Sequence, residues 1–246
     1  LRNVSFRLFV TSENEMKVTV ENQGQSYEYT IPMQSFERAS FKGRKSPSDY
    51  GLDARKILYV DAGIMGLPEL DQMMKTNLNA KGMILDMRKY PRWDIMEVFG
   101  KYLYPQPTTF MWYSINSKKF PGNFGLDIIG KIGFKENPDY FKGKIAILVS
   151  ETTQSQGELS SIAFRRAPHS AVIGTQTAGA NGHIGYLYLP RGIKFNYTMA
   201  GVFYPGWKLN QRVGVSIDIP VEQTVEDVEA GEDMWIKKGI EYIESE

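Results

Sequence analysis

The aliphatic run Ile145-Ala146-Ile147-Leu148-Val149 leads straight into a polar turn and then into a helix-forming segment over Glu158–Arg166. No other feature constrains the fold of this chain as much. Five apolar residues fall far short of the ~20 that a membrane-spanning helix needs. A short apolar run bounded by turn residues reads instead as a buried strand. The same alternation recurs along the chain: Lys56–Val60, Gly82–Met87 and Ala171–Gly174 read as further strands. Pro68–Met74 opens a helix with proline and acids in its first turn, where a missing N–H is harmless and negative charge is favoured. Two more helices are expected over roughly 93–102 and 231–244. This order of elements predicts an α/β fold with mainly parallel strands.

Other segments read less regularly. Residues 103–143 are rich in Pro, Gly and aromatics with weak strand signals, and 183–204 reads as a hairpin through Pro190-Arg191-Gly192. The aromatic stretches Tyr102–Pro107 and Phe110–Tyr113 suit either a peptide-binding wall or core packing. Val4–Val10, Lys17–Val20 and Tyr27–Ile31 read as strands of a small β-rich segment, with Asn22-Gln23-Gly24-Gln25 as a hairpin connection. The expected organisation is therefore a β-rich segment over 1–34, a polar linker over 35–55 and an α/β domain over 56–246.

Composition removes several functions. The chain of 246 residues carries 29 basic and 28 acidic side chains, a formal net charge of +1. That balance lacks the basic excess of a nucleic-acid binder. With no cysteine, disulfides, thiolate metal sites and thiol nucleophiles are excluded, and the redox compartment stays open. The two histidines, His169 and His183, do not form a metal-binding spacing, so neither a metal nor a cofactor is expected. The start at Leu1, without methionine or a signal-peptide pattern, predicts a processed or truncated chain.

The segment Val149–Glu158 carries the chemistry. Ligand sites of α/β sheets gather at the carboxyl ends of strands. A serine at the start of the following helix, Ser155, meets free N–H groups and the positive end of the helix dipole. Glu158 lies on the same helical face. Ser155 with Glu158 also fits a capping box, a structural device, as do Thr153 and Gln156. The segment is not a G-x-S-x-G elbow, because Thr153 stands at the first glycine.

Five segments in order resemble the S41 serine peptidases, the C-terminal-processing and tricorn-core group, in a branch common in Bacteroidetes. They are Lys56–Val60, Ile84–Arg88, Thr153–Glu158, Gly174–Gly179 and Gly214–Pro220, and the resemblance covers about residues 56–244. It implies a ClpP/crotonase-like α/β core, with residues 1–34 either a PDZ-like remnant or a small sheet of the peptidase domain itself. It implies a serine endopeptidase acting on unstructured polypeptide segments or C-terminal tails, in the cell envelope or periplasm. Ser155 would be the nucleophile. The backbone N–H of Gln156 and one from the Lys89–Arg92 turn, with Lys89 foremost, would form the oxyanion site; Pro91 has no N–H to give.

The chain also departs from the family. The lysine base of the processing branch is replaced by Ala180, and Asp61 stands where the tricorn-like branch carries its histidine. That leaves His183 as the candidate base, oriented by Asp61 or Glu158. His169 reads as a solvent-facing residue at the far end of the nucleophile's helix, about 20 Å along a continuous helix. Asp86 and Arg88 suit a structural ion pair. A peptide-binding module that has lost catalysis, and an acyl-transfer enzyme on a related fold, are the competing expectations. Oligomeric state is not legible.

Overall fold

The structure is a computed structural model that describes residues 13–33, 45–117 and 124–245. The chain divides into two compact units, residues 1–43 and 44–246. In the first unit, β1 (Glu15–Asn22) and β2 (Gln25–Pro32) form an antiparallel hairpin. Gln23 and Gly24 both take positive φ, 51° and 78°, the backbone that a two-residue hairpin with the natural strand twist requires. Val18 pairs with Tyr29 and Val20 with Tyr27 on one face, while Lys17 pairs with Thr30 and Thr19 with Glu28 on the other. The expected strand Val4–Val10 lies outside the described residues.

The second unit is built on a parallel sheet of β3 (Ile57–Asp61), β4 (Gly82–Asp86), β7 (Lys144–Val149), β8 (Ser170–Gly174) and β13 (Ile219–Pro220). Their order across the sheet is β13-β8-β7-β4-β3, and every pair is parallel. Helices α1 (Leu67–Thr76), α2 (Met96–Tyr102) and α3 (Gln156–Phe164) contribute Leu70, Phe99 and Phe164 to one core cluster. Helix α5 (Met234–Glu244) contributes Ile236, Ile240 and Ile243 to the other. Successive side chains of a strand point to opposite faces, and the sequence divides accordingly. Ile145, Ile147 and Val149 enter the first cluster, whereas Ala146 and Leu148 enter the second. Burial on both faces is why this strand reads as an unbroken aliphatic run.

A second, antiparallel sheet has the order β12-β11-β5-β6, from β5 (Thr108–Asn116), β6 (Phe124–Ile132), β11 (Ala200–Tyr204) and β12 (Lys208–Leu209). The nine-residue strands β5 and β6 were only faintly legible because register shifts at Thr109/Met111 and Tyr113/Ser114 break their two-residue alternation. The expected hairpin over 183–204 is β9 (Ile184–Leu189) with β10 (Ile193–Thr198), after which the chain joins the antiparallel sheet as β11 beside β5. The short helix α4 (Val225–Glu229) had not been expected; Thr224 and Asp227 close a capping box at its start. Residues 45–55 are not a free linker. Leu52 is buried against Ile57 and Ile243, and the Tyr50 hydroxyl accepts from the Asp233 N–H at 2.5 Å.

Among the described residues, no helix is long and apolar enough to cross a membrane. No cluster of three or more His, Asp or Glu side chains suited to a metal is found among them either.

Candidate active site

Strand β7 ends at Val149, and a five-residue turn delivers Ser155 to the amino end of α3. Ser155 has φ 51° and ψ −117°. Such a backbone costs a non-glycine residue about 1–3 kcal/mol, and it persists only where the surroundings over-determine it. They do so here. The Ser155 N–H donates to the Ala180 carbonyl at 2.8 Å, and its carbonyl accepts from Leu159 N–H at 2.9 Å. Two residues earlier, the Thr153 carbonyl accepts from Ala178 N–H at 3.0 Å. The capping boxes do not form. Ser155 makes no side-chain cap bond, because a capping serine needs extended backbone. Thr153 Oγ1 donates instead to the Met87 carbonyl at 3.0 Å. Ser155 Oγ is therefore left without a hydrogen bond to any described group.

The turn that follows β4 lies beside this helix start. Thr152 Oγ1 donates to the Arg88 carbonyl at 2.6 Å, and a Cβ placed on Gly157 would sit 3.6 Å from Pro91 Cδ. The far end of the turn is tied to β3, where Arg92 N–H donates to the Ala62 carbonyl at 3.0 Å. Among the described residues nothing accepts from the N–H of Lys89 or Tyr90. The N–H of Gln156 opens α3, so it has no acceptor within the helix.

The third wall is the Gly174–Gly179 turn. At Gly174, φ is 151° and a Cβ would lie 1.9 Å from the Val149 carbonyl oxygen. At Gly179, φ is 63° and a Cβ would stand 3.0 Å from the Arg212 backbone. Gly174 therefore admits only glycine, and any larger residue at Gly179 is strained. Glu158 pins this turn to α3: its Oε1 accepts from Thr177 Oγ1 at 2.6 Å and from Gly179 N–H at 2.9 Å. The side chain is 0% exposed and Oε2 has no hydrogen bond. Burial pushes its carboxyl above the ordinary value of 4.5, against the opposing pull of the hydrogen bonds from Thr177 and Gly179.

A raised carboxyl in the folded state binds a proton that the unfolded chain has already released. Its contribution to stability is thus full below 4.5 and falls as pH rises through the folded value. Glu158→Gln keeps an acceptor for Thr177 and Gly179 without the buried charge. Urea midpoints from pH 4 to 8 are expected to show the parent losing stability relative to Glu158→Gln as pH rises. Glu158→Ala, which leaves the buried Thr177 hydroxyl without its acceptor, should cost about 1–3 kcal/mol.

The remaining sequence-derived residues fall into separate positions. His183 is exposed, its ring centroid is 5.4 Å from that of Tyr113, and no hydrogen bond joins it to Ser155. His169 is exposed beyond the other end of α3, and its carbonyl accepts from Ile145 N–H and the Tyr242 hydroxyl. Asp61 pairs with Lys89 rather than with a histidine. Tyr104 and Phe110 of the aromatic stretch are core residues, and the Tyr104 hydroxyl donates to the Ala163 carbonyl at 2.9 Å. Asp86 and Arg88 do form an ion pair, joined by Asp233. Thr152, Thr177 and Asp233 were missed as supporting residues, because the bonds they make across the fold leave no signature in the neighbouring sequence.

Residues 56–221 match the sequence profile of Peptidase family S41. No curated protein matches the chain in sequence. Among solved structures, a candidate peptidase of Parabacteroides merdae is 19% identical with a TM-score of 0.64, covering 77% of this chain and 62% of its own. Mature CPAF in complex with lactacystin is 14% identical with a TM-score of 0.56, covering 92% of this chain and 52% of its own. The chain thus spans little more than half the length of these structures, and at such identities the likeness is one of fold.

Proposed function

The chain belongs to peptidase family S41, and from that premise we propose that it is a serine endopeptidase acting on unstructured polypeptide segments or C-terminal tails. The observation that carries the reading is Ser155 itself. It is held in strained backbone at the amino end of α3, directly after a central strand, with its Oγ unbonded. Protein folds retain such strain mainly at functional sites.

In this reading Ser155 Oγ attacks the scissile carbonyl carbon and loses its proton to His183. The carbonyl oxygen becomes an oxyanion facing the N–H groups of Gln156 and Lys89. Collapse of the tetrahedral species breaks the C–N bond as His183 protonates the leaving amine, and water then hydrolyses the acyl-enzyme. His183 leaves the same turn whose Ala180 carbonyl holds Ser155 N–H. Catalytic contacts absent from a free enzyme often form only when substrate binds.

A fluorophosphonate probe tests the reading directly, since labelling at Ser155 requires an activated serine. Replacing His183 by alanine is expected to slow labelling at least tenfold with an unchanged melting temperature. An equal rate would make the histidine structural. One observation favours a second reading: Ala180 and Asp61 occupy both places where the family's bases stand. A parent that never labels would make the protein a polypeptide-binding module on the same fold.

A further inference from the structure

The ion pair between Asp61 and Lys89 is not used by the reaction described above, yet it joins β3 to the turn that supplies an oxyanion donor. We propose that Asp61 is a positioning residue which, through the Lys89 ammonium, fixes the Lys89–Tyr90 backbone against Ser155. This inference rests on the reading of Ser155 as nucleophile.

The geometry of the turn supports it. Main-chain and threonine bonds tie both ends: Thr153 and Thr152 hold the Met87 and Arg88 carbonyls, and Ala62 accepts from Arg92 N–H. Between those ties Pro91 cannot donate, and nothing described accepts from the N–H of Lys89 or Tyr90. Pro91 is buried beside Gly157, and Lys89 is restrained through its side chain, whose Nζ lies 2.6 Å from Asp61 Oδ2. Asp61 is the fixed partner, with a side chain 15% exposed against 61% for Lys89. Its other oxygen accepts from Gly63 N–H at 2.9 Å, which orients the carboxylate on the end of β3. The two segments are in close contact, because a Cβ on Gly63 would stand 2.8 Å from Lys89 Cβ.

Asp61 Oδ2 meets the Lys89 ammonium and Oδ1 the Gly63 N–H, so the carboxylate is held at the end of β3 through both oxygens. An ion pair with one exposed partner contributes little to folding. A donor displaced by about 1 Å, by contrast, can cost a reaction ~100-fold. Loss of the pair should therefore appear in the rate of the chemical step rather than in stability.

The test uses the full chain and a fluorescent fluorophosphonate, in which the serine oxygen–phosphorus bond forms as the phosphorus–fluorine bond breaks. The phosphoryl oxygen takes the oxyanion position. Asp61→Asn and Lys89→Met are each expected to slow the maximal inactivation rate about tenfold, with the half-saturating probe concentration within twofold and an unchanged melting temperature. The double variant should be no slower than either single one, and Asp61→Glu should recover most of the rate. Raising salt should slow the parent but not Asp61→Asn, because an exposed pair is screened. If the parent labels and Asp61→Asn labels equally fast, or if only the half-saturating concentration moves, the inference is overturned while the reading of Ser155 stands. A parent that does not label overturns both.

Discussion

The Ser155→Ala protein is expected to fold as the parent does and to lose fluorophosphonate labelling altogether, with peptide hydrolysis falling by up to ~10⁶-fold. Losses of that size follow removal of a serine nucleophile, since the other members of such a site act only through it. Stability should change little, because Ser155 Oγ makes no hydrogen bond that alanine would forfeit. Alanine also carries a Cβ, so it inherits the strain of φ 51°. Ser155→Gly removes that Cβ and should be equally inactive yet more stable than Ser155→Ala, by about 1–3 kcal/mol. Urea denaturation of the two variants beside the parent gives the comparison. A glycine variant no more stable than the alanine one would mean that the turn stores no strain at Ser155.

Removing Arg88 should produce the largest loss of stability. Its Nε donates to Asp86 Oδ1 at 2.9 Å, Nη2 to Asp86 Oδ2 at 2.6 Å and Nη1 to Asp233 Oδ1 at 2.9 Å. Both carboxylates are buried, at 6% and 3% exposure. Asp233 also caps α5 by accepting from the N–H of Trp235 and Ile236, and the Trp235 indole donates to the Val149 carbonyl at 2.8 Å. One arginine therefore ties the end of β4 to the start of α5, and α5 in turn holds the end of β7 from which the Ser155 turn departs.

Arg88→Met leaves two buried carboxylates without their cation, at a cost of about 3–5 kcal/mol. For a chain of this size that is roughly 6–20 °C in melting temperature. The pH dependence has a definite sign. Burial by itself would raise the Asp86 carboxyl, but the bonds from Arg88, joined by the Tyr59 hydroxyl, hold it below the ordinary 3.8. Its stabilisation is thus present above 3.8 and is lost as pH falls through the lower folded value. Without Arg88 the buried carboxyl is pushed up instead, so the gap between parent and variant should be widest near neutral pH and narrow towards pH 3. A gap that is constant with pH would show that the loss comes from packing of the arginine stem, not from the charges.

How much of this was legible depends on whether a signal is local. The aliphatic run Ile145–Val149 marked the central strand, because burial on both faces leaves no place for a polar residue. Pro68 and Glu69 marked the start of α1, since the needs of a helix's first turn are local. Strands β5 and β6 were obscured by their bulges, which disrupt the alternation that reveals a strand. The S-x-x-E pattern at Ser155 was ambiguous because one spacing serves both a capping box and a nucleophile at a helix start. The left-handed backbone at Ser155 decided against the cap.

The sequence by itself determined the parallel sheet, the position of Ser155 where β7 gives way to α3, and the turns around it. Side-chain period, turn residues and helix-start residues are properties of neighbours in the chain. Only the tertiary structure decided that Glu158 turns to Thr177 and Gly179, that Asp61 meets Lys89, and that Arg88 bridges Asp86 to Asp233. Arg88 and Asp233 are 145 residues apart in the chain. Bonds of that kind act over about 3 Å, so they exist only once strand register and helix packing have brought the two groups to that separation.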